Sequence, residues 1–134
     1  MFRDKLPATS KRVRLHTKDE INKKIQERTH TNIDNYRNKS NEEIISRIKE
    51  LNKEWDTERA LETNASIVIL ISVVFYFITR SNGWIIFIGV ISGFLLQHAL
   101  QGWCPPLPIF RRLGIRTTTE IDEEKYRLKE LIKK

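Results

Sequence analysis

The stretch ASIVILISVVFYFITRSNGWIIFIGVISGFLLQHAL, residues 65–100, holds one formally charged side chain, Arg80. The rest of the 134-residue chain is so dense in Lys, Arg, Asp and Glu that 31% of all residues are charged and the net charge is +7. A mean hydropathy of −0.45 would by itself suggest a soluble protein. Concentration of the apolar residues into one window is instead the composition of a membrane segment.

The window divides into two runs. The first, residues 63–79, has the core Ile67 to Ile78, and at 1.5 Å per residue it covers roughly 25 Å, a little short of a ~30 Å hydrocarbon layer. Extension back through Ala60 and Leu61 removes the deficit. Arg80, Ser81, Asn82 and Gly83 form a compact, helix-breaking turn. The second run, residues 84–103, carries Gly89, Ser92 and Gly93 and closes with Gln97, His98 and Gln101. Two buried strands are excluded because an isolated two-stranded ribbon in lipid leaves backbone groups unsatisfied. A soluble helical hairpin would need apolar cover that the polar arms cannot supply. The fold class expected is therefore all-α, a two-helix transmembrane hairpin with an amphipathic N-terminal helical arm and a short C-terminal helix.

Residues 1–16, with Lys11, Arg12 and Arg14 and little periodicity, read as a flexible basic arm. Residues 17–62 read as a helical arm at the cytoplasmic face or the membrane interface. Thr17 and Glu20 suggest a capping box for a helix over 18–36, and Ser40 with Glu43 suggests another. After the second, Ile44, Ile48, Leu51 and Trp55 recur at helical spacing, with Ile45 widening the face and Glu43 placed to pair with Arg47. This face is expected to lie on the membrane or beside the hairpin, the alternative being a globular packing face. In residues 104–134, prolines at 105, 106 and 108 stop the second span. A last, exposed helix begins at Thr118 or Thr119.

Charge gives the orientation. Fifteen Lys and Arg precede residue 64 and eight follow residue 103, whereas the turn has only Arg80. The positive-inside rule places both termini in the cytoplasm. No apolar run precedes residue 60, so the first span is expected to act as its own insertion signal. Trp55, Trp84, Trp103, Arg111 and Arg112 are candidate interfacial anchors, with anionic lipid headgroups as partners. The basic stretches lack interleaved aromatics and any nucleic-acid module, so no nucleic-acid partner is expected.

Candidate chemistry is sparse. Gly89 and Gly93 stand one turn apart, and Gln97 and Gln101 continue that line, making a groove for close helix approach. It either packs against the first span or docks a second copy or another subunit. His98 is the single His within a span, either an interfacial hydrogen-bonding residue or a ligand or proton relay; no carboxylate lies within residues 63–103. Cys104 is either an inert small residue or a thiol activated by Arg111 and Arg112, able to carry a persulfide, a mixed disulfide or an acyl chain. One cysteine makes no intrachain disulfide. No catalytic set, metal-spaced cluster or cofactor motif is present, so no enzyme activity, metal or cofactor is expected. An oligomer lined by Gln97, His98 and Gln101 would be needed for any solute path.

The segment GFLLQHALQGWCPPLP, residues 93–108, with the following RRLGI at 111–115, resembles the YgaP-like transmembrane domain family. The likeness runs from about Ala60 to Arg116, and residues 55–65 resemble members that carry a polar N-terminal arm. It implies a hairpin of the bacterial inner membrane, often self-associating, with no assigned activity of its own. Some relatives are fused to a rhodanese domain, which implies sulfur or persulfide handling near the Cys-Pro turn. This chain has no rhodanese loop, and only Cys104 would carry over as an acceptor. The functional expectation is a non-enzymatic accessory subunit or scaffold of a membrane assembly; the alternative is a thiol carrier at Cys104 facing the cytoplasm.

Overall fold

The computed structural model describes residues 3–132. After a 3₁₀ turn at Arg3–Lys5 come seven helices: α1 (Arg12–Leu15), α2 (Asp19–Asn35), α3 (Asn41–Leu51), α4 (Thr57–Thr79), α5 (Gly83–Gln101), α6 (Leu107–Arg112) and α7 (Thr118–Leu131). No strand occurs among the described residues. The chain is an all-α hairpin of two long apolar helices with flanking helices at one end.

α4 has 23 residues and α5 has 19, which at 1.5 Å per residue is about 34 and 28 Å, enough to cross a bilayer. Both are long and apolar enough to span a membrane. A core helix of a soluble protein would hide such side chains, but Leu70 is 66% exposed, Ile78 70% and Ile86 69%. That outward apolar surface requires lipid.

α4 begins at Thr57, six residues before the hydropathy boundary at 63, because Asp56 caps it by accepting the Arg59 N–H at 2.8 Å. It ends at Arg80, whose φ of 54° is left-handed. The two spans pack on each other; residues 61, 65, 68, 72 and 76 of α4 and 84, 88, 91, 95 and 98 of α5 are among the less exposed positions and are spaced by three and four, as in close antiparallel packing. Ser72, 1% exposed, turns its hydroxyl back to the Val68 carbonyl at 2.7 Å. Phe75 stacks on Trp84 with centroids 4.9 Å apart.

α5 closes at Gly102, with φ +83°. A Cβ there would stand 2.5 Å from the backbone carbon of Arg12, so glycine serves both the left-handed turn and the approach of α1. Pro106 and Pro108 then flank the start of α6, where a missing N–H costs nothing.

The remaining helices form a polar head at the open end of the hairpin. α7 packs against α2 and α3, and α6 against α4. Ile44 and Leu51 of α3 are buried with Ile121 and Leu128 of α7, flanked by Tyr36 and Ile48. A second core joins Val13 of α1 to Leu61, Cys104 and Leu107, with Phe94, Trp103 and Phe110 against it.

Several expectations are revised by this head. The arm over 1–16 is docked rather than flexible in its described part from Arg12: Val13 is buried in a core. The apolar face of α3 covers α7, not lipid. α7 is buried along one side rather than exposed, because a third helix is needed to cover α2 and α3. Thr17 does not cap α2; its hydroxyl donates to the Val13 carbonyl at 2.8 Å and accepts from Arg111 Nε at 3.2 Å. Arg47 bonds Glu124 and Glu50 rather than Glu43, which holds Lys39. The Ser40–Glu43 capping box is present, and a second, Thr117–Glu120, starts α7.

Candidate functional site

Where the spans meet the head, Glu58, His98 and Cys104 come together. Glu58 sits in the first turn of α4, and His98 in the last turn of α5. His98 is 2% exposed, and its Nε2 lies 3.1 Å from both carboxylate oxygens of Glu58. An ionised carboxylate can only accept, so Nε2 carries the proton and a neutral ring has its lone pair on Nδ1. Nδ1 has no hydrogen-bond partner among the described residues. The group beside the ring is the Cys104 thiol, which is 4% exposed. Arg12 Nη2 donates to Glu58 Oε1 at 2.8 Å, fixing the carboxylate from the other side.

This arrangement changes the setting expected for two residues. His98 is not at an aqueous interface but enclosed, and the carboxylate expected to be absent from the hairpin is supplied by Glu58 once α4 is extended back to Thr57. Glu58 and Arg12 escape a reading based on hydropathy; the signal that finds Glu58 is the helix cap at Asp56. Arg111 is directed to Glu120, Asn22 and Thr17 rather than to Cys104, and Arg112 is exposed. Among the described residues, no group of three His, Cys, Asp or Glu side chains is placed to hold a metal ion.

Cys104 also lines a cavity of about 170 Å³ with Leu61, Ala65, Val68, Ile91, Phe94 and others from the two spans. The cavity is almost wholly apolar, and Pro105 and Pro106, which have no N–H to offer, also line it.

The glycine line is elsewhere. Gly89, Ser92, Gly93 and Gln101 are exposed and Gln97 partly so. A Cβ built on Gly89 or Gly93 meets nothing within 4 Å. The hairpin closes through Ser72 and the 84–98 face, so the glycine groove is left outward.

The expected anchors separate into two kinds. Trp55, 48% exposed, has the Arg59 guanidinium 4.6 Å above its ring; Trp84 stacks within the hairpin and Trp103 packs on the α1–α6 core. Arg112 lines a basic cleft of about 530 Å³ with Lys18, Lys24 and Arg28. Arg111, by contrast, is 1% exposed and does not face headgroups. It grips Glu120 with two bonds of 2.7 and 2.8 Å and adds Asn22 at 2.9 Å. Burial alone would raise the Glu120 carboxyl, but Arg111, the Thr117 N–H and Arg14 outweigh it and hold it below the usual carboxylate range. Arg116, also 1% exposed, bonds Glu54 at 2.5 and 2.8 Å and joins buried Glu124. Burial opposes its charge, and these two carboxylates reverse that, raising its pKa. These pairs position the head.

Residues 56–120 match the family model for the transmembrane domain of YgaP-like inner membrane proteins. Comparison with curated proteins and with solved structures returned no match. The match opens at the Asp56 cap and includes Glu58, both spans, His98, Cys104, Arg111 and Arg116. The chain is a membrane protein, and its hairpin with the adjoining turn is similar to the YgaP-like transmembrane domain family.

Proposed function

We propose that the protein is a non-enzymatic membrane scaffold whose hairpin self-associates through the Gly89–Gly93 face of α5. The observation that carries this reading is the open space over both glycines. In lipid the hydrophobic effect does not drive helices together, and association relies on close backbone approach at small residues and on interhelical hydrogen bonds. Gly89, Ser92 and Gly93 provide the approach, and Gln97 and Gln101 the amides. A second copy presents the same groove, which a two-fold pairing can use. The head lies in the cytoplasm with both termini, because the positive charge is concentrated there and the turn holds only Arg80. Lys18, Lys24 and Arg112 attract anionic headgroups.

Chemical cross-linking in native membranes and sizing in mild detergent test this reading. The expected result is a dimer that Gly93→Leu reduces to monomer with the helical content unchanged. A monomer in both proteins would discard it.

A second reading is favoured by one observation. The buried His98 ring, held by Glu58 through Nε2 and without a hydrogen-bond partner at Nδ1, lies in the same enclosed corner as the Cys104 thiol, the kind of pairing in which an adjacent base makes a thiol nucleophilic. On this reading Cys104 carries a cargo covalently for the assembly. Cys104 modification by a membrane-permeant maleimide, slowed by His98→Gln, is the expected result.

A further inference from the structure

We infer that the Cys104 thiol accepts a long-chain fatty acyl group as a thioester, with His98 taking the thiol proton and the cavity between α4 and α5 receiving the chain. The inference rests on the thiol reading above and names its cargo.

Three observations select an acyl chain. The cavity touches the thiol directly, since Cys104 is part of its wall. Its other walls are Leu61, Ala65, Val68, Ile91, Phe94 and Leu95, with Asn64 the one polar side chain. A sulfane or glutathione-like cargo finds almost no hydrogen-bonding groups there, whereas a hydrocarbon chain needs none and packs against the apolar walls. Finally, the groove has the right direction. Leu61 and Val68 lie two turns apart on α4, about 10 Å along the axis. The groove therefore leads from the thiol toward the middle of the membrane. A volume of about 170 Å³ is near the ~150 Å³ that holds benzene in an engineered apolar cavity, so it admits the first methylenes. The remainder of a longer chain continues along the lipid-facing side of the hairpin.

The chemistry needs no oxidant. His98 Nδ1 takes the proton from Sγ, and the thiolate attacks the carbonyl carbon of an acyl thioester donor of the coenzyme A type. The new C–S bond to Cys104 forms as the bond to the donor's sulfur breaks. The imidazolium returns its proton to the departing thiolate. Glu58, held by Arg12, balances the ring's charge through Nε2 while it is protonated.

The test uses the full chain in proteoliposomes with an alkyne-tagged palmitoyl-coenzyme A. The expected result is a single tag per chain that neutral hydroxylamine releases, absent in Cys104→Ser. His98→Gln slows labelling on the order of 100-fold. Val68→Trp, which fills the groove, blocks the acyl tag and leaves maleimide modification of Cys104 intact. If Cys104 reacts with the maleimide but takes no hydroxylamine-sensitive tag, the acyl inference is overturned and the thiol reading stands. If it takes neither, both fall. Equal acyl labelling of wild type and Val68→Trp would overturn the groove's part.

Discussion

Arg111 and Glu120 face each other across the turn between α6 and α7 as a parallel, two-bonded pair, with neither side chain more than a tenth exposed. Removing one member leaves the other charged and buried without a partner, at a cost of about 3–5 kcal/mol. Arg111→Met and Glu120→Leu should each lower the melting temperature of the head sharply. The double substitution should recover most of the loss, since an apolar pair of similar volume is tolerated. Thermal unfolding by circular dichroism in detergent checks all three.

The same pair sets an acid limit. The folded-state pKa of Glu120 lies below its ordinary 4.5. Its contribution to stability is therefore complete above that value and is lost as pH falls toward the lowered one. Melting curves from pH 7 to 3 should show a decline beginning near pH 4.5 in the wild type. In Glu120→Gln the baseline is lower and this part of the slope disappears.

Two glycines should respond oppositely to alanine. At Gly102 the backbone is left-handed and Arg12 stands where the methyl group would go. Strain of about 1–2 kcal/mol is expected from the conformation alone, together with displacement of α1 and loss of the Arg12–Glu58 bond. Gly93→Ala meets nothing within its own chain and should leave the melting temperature of the detergent-dispersed monomer unchanged or slightly raised. Paired melts of the two variants give the comparison.

Thr117 caps α7 from a position that orders Glu120 as well, since the Glu120 carboxylate accepts the Thr117 N–H at 2.8 Å. Thr117→Ala should cost about 1–2 kcal/mol, at the upper end for an N-cap, and more than Ser40→Ala, whose capping box is exposed. Hydrogen exchange of the first turn of α7 would report the difference directly.

The hairpin was legible in the sequence because lipid imposes one strong rule, thirty-odd residues with a single charge, and few other structures satisfy it. The head was not, because a buried ion pair uses the same residue types as a solvated one. Arg111 next to Arg112 reads as a headgroup anchor; only the position of Glu120, nine residues on and across a turn, converts it to an interior group. Glu58 was missed for a different reason. Hydropathy draws the edge of a span where polar residues begin, whereas the helix begins at its cap, and the functional constellation lies between those two boundaries. His98 and Cys104 were both visible as candidates, but nothing in their spacing told that one carboxylate would join them. The spacing of Gly89 and Gly93 puts them on one helix face; which neighbour that face meets depends on the register of the hairpin, which the spacing does not contain.

The interlock of the two polar arms has a temporal consequence. Glu54 precedes the first span, yet its partner Arg116 follows the second; Arg47 and Glu124 are likewise divided. At ribosomal speeds of about 5–20 residues per second, residues 54 and 124 are made roughly 4–14 s apart. Throughout that interval the amino-terminal half has no companion for its interior, and a chain whose second span fails to insert keeps it that way. The interior of the head is therefore complete only after both long helices have been synthesised.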